Sequence, residues 1–201
     1  GYSRTYPNLM TQEGIRGDEE RQPAANTLTI LFSRMLAGAA DNTVCYYDQR
    51  VDEFWSHAYQ LAKSVVLYSP WQFLYRYDVP EASAPFRKNE GLQIIGNEPE
   101  LEFFDHLRAV WDETRILHGE IGNFASVARR SGRKWFIGTM NAEKIRTLEI
   151  PLGFLDAGKR YTARIYSDDV NIQTRTKVRI DSSIVDASTV LRCELAPHCG
   201  Q

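Results

Sequence analysis

The sequence predicts a chain of two parts, an α/β segment followed by an all-β segment. In the first part, an apolar run at 27–36 precedes a stretch with helical periodicity at 51–69. In the second part, short runs rich in β-branched and aromatic residues alternate with turn residues from 115 onward. With 201 residues, 43% of them hydrophobic and 11% aromatic, the chain can build a packed core.

The first part reads as one βα unit. TLTILFSRML at 27–36 is nearly continuous and β-branched, which is typical of a strand buried on both faces of a parallel sheet. AGAADNTVCYYDQR at 37–50 predicts a loop, and VDEFWSHAYQLAKSVVLYS predicts an amphipathic helix that starts near Asp48 or Asp52. Pro70 ends or kinks this helix. Because a parallel strand needs neighbours on both sides, we expect this unit to belong to a larger sheet.

The second part reads as an antiparallel β-sandwich. A proline-rich linker at 79–99 leads into a short helix at 99–109. The runs that predict strands are RILHGEI, FASVARR, KWFIGTM, RTLEIPL, YTARIYS, KVRI and STVLRCEL, and turn residues separate them. The positions expected to form its core are Val127, Trp135, Ile137, Leu148, Ile150, Tyr161, Ile165 and Leu191.

Charge and cysteine content narrow the functional classes. Twenty-four basic against 26 acidic residues give a net charge of −2, which disfavours binding of nucleic acid or an anionic membrane through charge. No run approaches the roughly 20 apolar residues of a membrane span, so none is predicted. The three cysteines form no CxxC pair and predict structural or free thiols, with one disulfide possible.

The segment RTYPNLMTQEGIRGDEERQ at 4–22 is the candidate site. It places four carboxylates around Arg16: Glu13, Asp18, Glu19 and Glu20. A charged loop of this kind is usually solvated. The alternative is a site in which one carboxylate binds a cation and another delivers a proton, and the residues alone leave both interpretations open.

Five ordered blocks resemble the C-terminal part of glycoside hydrolase family 97. They are RTYPNLMTQEGIRGDE, FSRMLAGAADNT, HAYQLAKSVVLYSPWQ, WDETRILHGEIGNFASVARRSGRKWFIGTMN and IPLGFLDAGKRYTARIYSD. The family comprises calcium-dependent, exo-acting α-glucosidases and α-galactosidases with an N-terminal β-sandwich, a (β/α)8 barrel and a C-terminal β-sandwich. The resemblance implies a multi-domain fragment: the last part of the (β/α)8 barrel at 1–78, a linker at 79–99 and the antiparallel β-sandwich at 100–201.

The resemblance also implies roles for two carboxylates. Glu13 matches a calcium (Ca2+) ligand of the family, and Glu19, six residues on, matches the general acid that protonates the leaving-group oxygen. Glu20 is the alternative if the match is one residue out, and Asp18 is a weaker one. The family's base or nucleophile and its other calcium ligands lie upstream of the matching segment, so we expect the 201 residues alone to be inactive.

The implied partners are an oligosaccharide or glycoside substrate and the missing N-terminal part of the same polypeptide. The implied location is periplasmic or secreted. The rival hypothesis is a non-catalytic β-sandwich, either an interaction module or a carbohydrate-binding module, with a helical arm and a solvated acidic loop.

Several other residues favour structural roles. Asp41 in AGAADNT favours a turn over a place at a barrel mouth. His57 favours packing or the outer helix face. Residues 111–113, WDE, favour the joint between the two parts over a sugar platform. Trp135 and Phe136 are expected in the core and on the surface of the sandwich. Arg16, between Glu13 and Glu19, is expected to hold the loop by ion pairs, and contact with substrate is the less favoured alternative.

Overall fold

The computed structural model describes residues 5–12, 15–75, 78–80 and 94–201, without the side chain of Glu19. Glu13 therefore lies outside the described residues, as do residues 81–93 of the predicted linker. None of the helices in the described ranges has the length and apolar content needed to cross a bilayer.

The first part contains a parallel pair of short strands joined through two helices. Strand β1 (Asn42–Thr43) pairs in parallel with β2 (Gln72–Phe73), and Val44 N donates to the oxygen of Phe73 just beyond the pair. Helices α2 (Gln49–Phe54) and α3 (His57–Val66) form the crossover between them. The connection needs a helical crossover because parallel strands cannot be joined by a hairpin.

The predicted strand at 27–36 is wrong. Helix α1 (Ala24–Ile30) begins directly after Pro23, and a 3-10 turn follows at Arg34–Ala37. Ala24 and Leu28 are four residues apart, lie on one helix face and pack with the rings of Trp55 and Tyr59. The helical spacing of the apolar residues and the proline before the helix thus favour a helix more strongly than the β-branched composition favours a strand.

The segment predicted as a loop contains the actual parallel strand. Val44, Cys45, Tyr46 and Tyr47 are fully or almost fully buried directly after β1. Polar Asn42 is also buried, and its side-chain amide donates to Gln72 Oε1 at 3.0 Å. The polar residues of β1, one of which bonds across to the partner strand, made this strand look like a loop in the sequence.

The predicted helix at 51–69 is present but interrupted. Asp48 accepts the backbone N–H of Arg50 and caps α2, while Ser56 accepts the N–H of Tyr59 and caps α3. The two caps divide the helix into two. Every residue of α3 is buried, because this helix lies in the interior of the structure and packs against the sandwich.

The second part has the seven predicted strands, all paired antiparallel. They are β3 (Glu113–Glu120), β4 (Phe124–Ser131), β5 (Lys134–Asn141), β6 (Arg146–Pro151), β7 (Tyr161–Asp168), β8 (Val178–Val185) and β9 (Val190–Leu195). The sheet orders are β3-β4-β5, β6-β9 and β7-β8. A 3-10 turn at Pro99–Leu101 and helix α4 (Glu102–His106) precede them, within the predicted short helix. Gly122 and Gly132 take positive φ angles of 73° and 59° in the hairpins that flank β4.

The core of the sandwich contains most of the positions expected there. Ile150 is buried in a cluster against which five other predicted positions pack: Trp135, Ile137, Leu148, Tyr161 and Leu191. Val127 is buried as well, but it packs with the helices of the first part.

Phe136 departs from the expectation of a surface residue. It is buried beneath the rings of Phe103, on α4, and Trp111, at centroid distances of 6.1 and 5.4 Å. Strand β5 is therefore covered on both faces. Strand alternation gives the two faces of a strand, but it does not show that a helix and a connecting segment cover the outer one.

Candidate active-site turn

The acidic segment folds into a 3-10 turn at Asp18–Glu20. Glu20 N donates to the oxygen of Gly17, and Arg21 N donates to the oxygen of Asp18, each at 3.1 Å. Arg21 closes the turn in the left-handed region, with φ of 51°. The backbone of Glu19 thus lies in the middle of a hydrogen-bonded turn that also contains Asp18.

Asp18 is the anchor of this turn. It is 3% exposed, and its Oδ1 lies 2.6 Å from Lys63 Nζ on α3. Its Oδ2 accepts the backbone N–H of Cys45, which follows β1, at 3.4 Å. Since both carboxylate oxygens are engaged inside the protein, Asp18 is poorly suited to protonate a substrate.

Lys63 is the residue that sequence analysis missed. Its side chain is as buried as that of Asp18, and Nζ also donates to the backbone oxygen of Thr43 at 3.1 Å. A lysine almost never lies fully buried without a partner. The spacing of the apolar residues in α3 predicts Lys63 on the opposite, polar side of the helix, and no local pattern could have identified Asp18, 45 residues away, as its partner.

Glu20 and Arg16 form the exposed side of the turn. Arg16 Nη1 lies 3.2 Å from Glu20 Oε2, with side chains 69% and 51% exposed. Exposed pairs of this kind contribute about 0–1 kcal/mol. The expected ion pairing of Arg16 within the loop is present with Glu20, while Glu13 and the side chain of Glu19 lie outside the described part of the chain.

Two of the four carboxylates of the acidic segment are engaged in ion pairs. Asp18 is bonded to Lys63 and Glu20 to Arg16, so Glu13 and Glu19 are the remaining carboxylates of the segment. Across the described ranges, no three His, Cys, Asp or Glu side chains are grouped to hold a metal ion. Glu13, the expected calcium ligand, lies outside those ranges.

A second group of acidic side chains lies beyond the carboxyl ends of β1 and β2. Asp78 Oδ2 accepts the backbone N–H of Tyr47 at 3.0 Å, and burial raises the pKa of Asp78 to about 6. Glu100 is fully buried and accepts the hydroxyl of Tyr46 at 3.1 Å. Burial, and next the charge of Glu100, raise the pKa of Tyr46 well above its usual value. Tyr46 therefore stays a neutral hydrogen-bond donor.

His57 has the packing role that was expected of it. It is buried, and its Nε2 lies 3.2 Å from Asp52 Oδ1 and 3.3 Å from Arg175 Nη1. Its ring also meets that of Tyr46 edge-on at 5.1 Å. Asp41 is half-buried, and its Oδ1 has no hydrogen-bond partner among the described residues.

The sandwich holds helix α3 at both ends. Asp168 of β7 accepts the hydroxyl of Ser56 at 2.6 Å and the backbone N–H of Ala58 at 3.3 Å. Arg129 of β4 donates to the backbone oxygens of Val65 and Val66 at 2.6 and 3.1 Å. An anion at the amino end and a cation at the carboxyl end complement the helix dipole.

Close packing adds to these bonds at the joint. A Cβ added at Gly138 on β5 would lie 2.6 Å from the backbone oxygen of Ala62, so only glycine allows this approach. Trp111 packs on Phe136, and Asp112 Oδ2 accepts the N–H of Gly132 at 2.6 Å. Residues 111–113 thus have the structural role at the joint that was predicted.

A cavity of about 440 Å³ lies beside β5 and β7 in the sandwich. Trp135, Phe154 and Tyr161 are among its lining residues. The rings of Trp135 and Phe154 pack on each other at 4.6 Å within the apolar core. They contribute to folding and do not form a flat, exposed platform for a sugar.

Comparison with known proteins places this arrangement in a family. A family model described as the oligomerisation-associated C-terminal domain of glycosyl hydrolase 97 matches residues 110–201. A solved glycoside hydrolase family 97 enzyme from Pseudoalteromonas sp. strain K8, in complex with acarbose, covers the whole chain at 30% identity with a TM-score of 0.80. The chain belongs to glycoside hydrolase family 97.

Curated relatives of this family-97 chain support the same assignment. A probable retaining α-galactosidase of Streptomyces bingchenggensis is 34% identical over 76% of the chain, and a retaining α-galactosidase of Bacteroides thetaiotaomicron is 28% identical over all of it. A solved β-arabinopyranosidase covers 92% of the chain at 25% identity with a TM-score of 0.64. The family-97 chain spans 22% and 31% of the lengths of the two curated relatives. The resemblance read from the five sequence blocks is confirmed.

Proposed function

We propose that this chain is the C-terminal portion of a calcium-dependent, exo-acting α-glycosidase that hydrolyses terminal α-galactosides or α-glucosides. Support comes from the family and from curated relatives that are named as retaining α-galactosidases. Retention of the anomeric configuration is part of the proposal. So is a periplasmic or secreted location, which rests on the family resemblance alone.

The observation that carries the proposal is the bond between Asp18 and Cys45. Cys45 lies two residues beyond the end of β1, so this bond holds the acidic turn at the carboxyl end of a parallel strand. In (β/α)8 barrels, catalytic groups lie at the carboxyl ends of the strands. The parallel β1–β2 pair with its helical crossover supports the proposal that residues 1–78 complete such a barrel.

In this proposal Glu19 is the general acid and Glu13 a calcium ligand. Glu19 would donate its proton to the glycosidic oxygen as the bond to the leaving group breaks. A carboxylate from the upstream part of the polypeptide would act as nucleophile, roughly 5–5.5 Å from the acid in a retaining enzyme. Calcium, when bound, would supply a hard positive charge for carboxylate and sugar oxygens, with Glu13 among its ligands.

The direct test is an assay of the full-length enzyme on α-galactosides and α-glucosides, with the product anomer followed by NMR. We expect hydrolysis of at least one of the two substrates with retention, and loss of activity when calcium is chelated. A full-length protein that binds sugar without hydrolysing it would reject the proposal in favour of a carbohydrate-binding module, and one that does neither would favour an interaction module.

We propose a second role, in oligomerisation, for residues 110–201. It is supported by the description of the matching family model and by Ile116 and Ile121, which lie on and just after β3 with side chains 69% and 60% exposed. Light scattering of the full-length enzyme tests this role. An Ile116→Lys variant with the mass of the parent assembly would exclude Ile116 from the interface.

A further inference from the structure

We infer that Lys63 is a positioning residue for the acid, acting through Asp18. This inference rests on the proposed function, because it takes Glu19 to be the acid. It adds a residue of α3, outside the acidic segment, to the groups on which proton donation depends.

The first step is the coupling between Asp18 and Glu19. The two residues are adjacent in a 3-10 turn that is closed by hydrogen bonds to Gly17 and Asp18. Such a turn has little freedom to move one residue without the next. A displacement of the Asp18 side chain would therefore shift the backbone from which the Glu19 side chain starts.

Hydrogen bonds to both carboxylate oxygens fix the position of the Asp18 side chain. Lys63 Nζ donates to Asp18 Oδ1 at 2.6 Å and to the oxygen of Thr43 at 3.1 Å. Because two acceptors from different segments share this ammonium group, its position is fixed relative to β1 as well as to the turn. The bond from Cys45 N to Asp18 Oδ2 fixes the other carboxylate oxygen.

The third step is the rigidity of the helix that carries Lys63. Asp168 bonds the amino end of α3 and Arg129 its carboxyl end, and Lys63 lies between them. The route from the sandwich to the acid thus runs through bonds of Asp168 and Arg129 to α3, and of Lys63 to Asp18. The sandwich becomes part of the support of the active site.

Stability alone is a weak reason for this ion pair. A buried pair is often no more stabilising than two apolar side chains of the same size, although removing only one partner is strongly destabilising. Geometry is the better reason, since a misplacement of about 1 Å in an active site can cost roughly 100-fold in rate. The paired variant Asp18→Leu with Lys63→Met distinguishes a stabilising role of the ion pair from a positioning role. It restores apolar packing without restoring the directional bond.

The experiment uses the full-length enzyme and compares Lys63→Met, Asp18→Asn and the paired variant with the parent. The control is Lys159→Met, since Lys159 is exposed and pairs with nearby Asp156 at 2.7 Å. kcat and KM are measured on an alkyl α-glycoside, whose leaving group needs a proton, and on a dinitrophenyl α-glycoside, whose leaving group does not. We expect kcat/KM on the alkyl glycoside to fall about 10- to 100-fold in the folded variants, with a much smaller fall in kcat/KM on the dinitrophenyl glycoside.

Glu19→Gln is assayed in parallel to separate the two proposals. If Glu19→Gln shows the leaving-group-dependent loss while the paired variant and Asp18→Asn keep the parental kcat/KM on both substrates, the role of Lys63 is rejected and that of Glu19 stands. Equal losses on both substrates also reject it. If Glu19→Gln shows no such loss, the proposed acid is wrong. Should Lys63→Met not fold, Asp18→Asn decides, because asparagine keeps the shape and can keep the Cys45 hydrogen bond while weakening the bond to Lys63.

Discussion

Arg129 Nε donates to the backbone oxygen of Val65 at 2.6 Å, so a strand of the sandwich binds the carboxyl end of helix α3. The same guanidinium bonds Val66 and Thr114 and lies over the ring of Trp111 at 5.9 Å. Burial lowers the pKa of Arg129 to about 10, which still leaves it charged at neutral pH. The joint therefore contains a buried cation satisfied mainly by backbone oxygens.

Replacing Arg129 should weaken the joint strongly. We expect Arg129→Met to lower the free energy of unfolding by about 2–4 kcal/mol, because two buried carbonyl oxygens lose a charged donor. Arg130→Met is the matched control, since Arg130 is partly exposed and pairs with Asp112 and Glu113 near the surface. Urea unfolding measures both, and equal effects of the two substitutions would contradict this account of the joint.

Asp78 should make stability depend on pH. Its pKa is about 6 in the folded protein and near 3.8 when unfolded, so the folded state binds this proton more tightly. Ionised Asp78 therefore lowers the free energy of unfolding above pH 6, and this penalty disappears as the pH falls from 6 to 4. We expect Asp78→Asn to stabilise the chain by on the order of 1–3 kcal/mol at pH 7.5 and to have little effect at pH 4.

Urea unfolding at pH 4, 5, 6 and 7.5 measures this dependence. Asp156→Asn is the control, because Asp156 is exposed and bonded to Lys159. If Asp78→Asn destabilises the chain at pH 7.5, burial of the charged carboxylate is not the dominant effect there.

The sandwich could be predicted from sequence because its strands are locally encoded. Gly122 and Gly132 mark hairpins, and alternation placed Trp135 and Ile150 on the core side. The first part could not be predicted as well. An apolar run such as 27–36 fits a helix or a strand, and β1 consists of polar residues whose burial depends on a partner strand 30 residues away.

The candidate site shows the same division. A motif in a short segment points to Glu13 and Glu19, and the turn at Asp18–Glu20 agrees with a compact acidic loop. Lys63 could not be assigned to that site, because its ion pair with Asp18 depends on how α3 packs in three dimensions. The position of Lys63 in the site depends on this long-range ion pair, which no local sequence pattern indicates.

Trp135 should be critical for the sandwich. It packs on the apolar core and on the ring of Phe154 at 4.6 Å, so Trp135→Ala should cost roughly 3–5 kcal/mol. Ile184→Ala on β8 is the control for loss of an apolar side chain at an exposed position. Thermal unfolding followed by near-UV circular dichroism compares them. A Trp135→Ala variant as stable as Ile184→Ala would mean that the ring is not part of the core.

Glu13 should control the calcium requirement. In the full-length enzyme, we expect Glu13→Gln to raise the calcium concentration needed for half-maximal activity. Activity on alkyl and on dinitrophenyl glycosides should fall to a similar extent, because a lost ligand disturbs the whole site. Calcium titration after chelation measures the shift. Glu53→Gln, on α2 and outside the acidic segment, is the control. An unchanged calcium requirement in Glu13→Gln would remove Glu13 from the metal site.

The central claim is that Glu19 is the general acid, and leaving-group dependence in the full-length enzyme tests it most directly. Glutamine keeps the size of the side chain but cannot donate the proton. The kcat/KM of Glu19→Gln should therefore fall about 10²–10⁴-fold on alkyl α-glycosides and much less on dinitrophenyl α-glycosides or glycosyl fluorides. Glu20→Gln, whose parent side chain is exposed and paired with Arg16, should stay close to the parent on both. A leaving-group-dependent loss in Glu20→Gln with a nearly unchanged Glu19→Gln would show that the acid is one residue further on, and no such loss in either would show that it lies outside this turn.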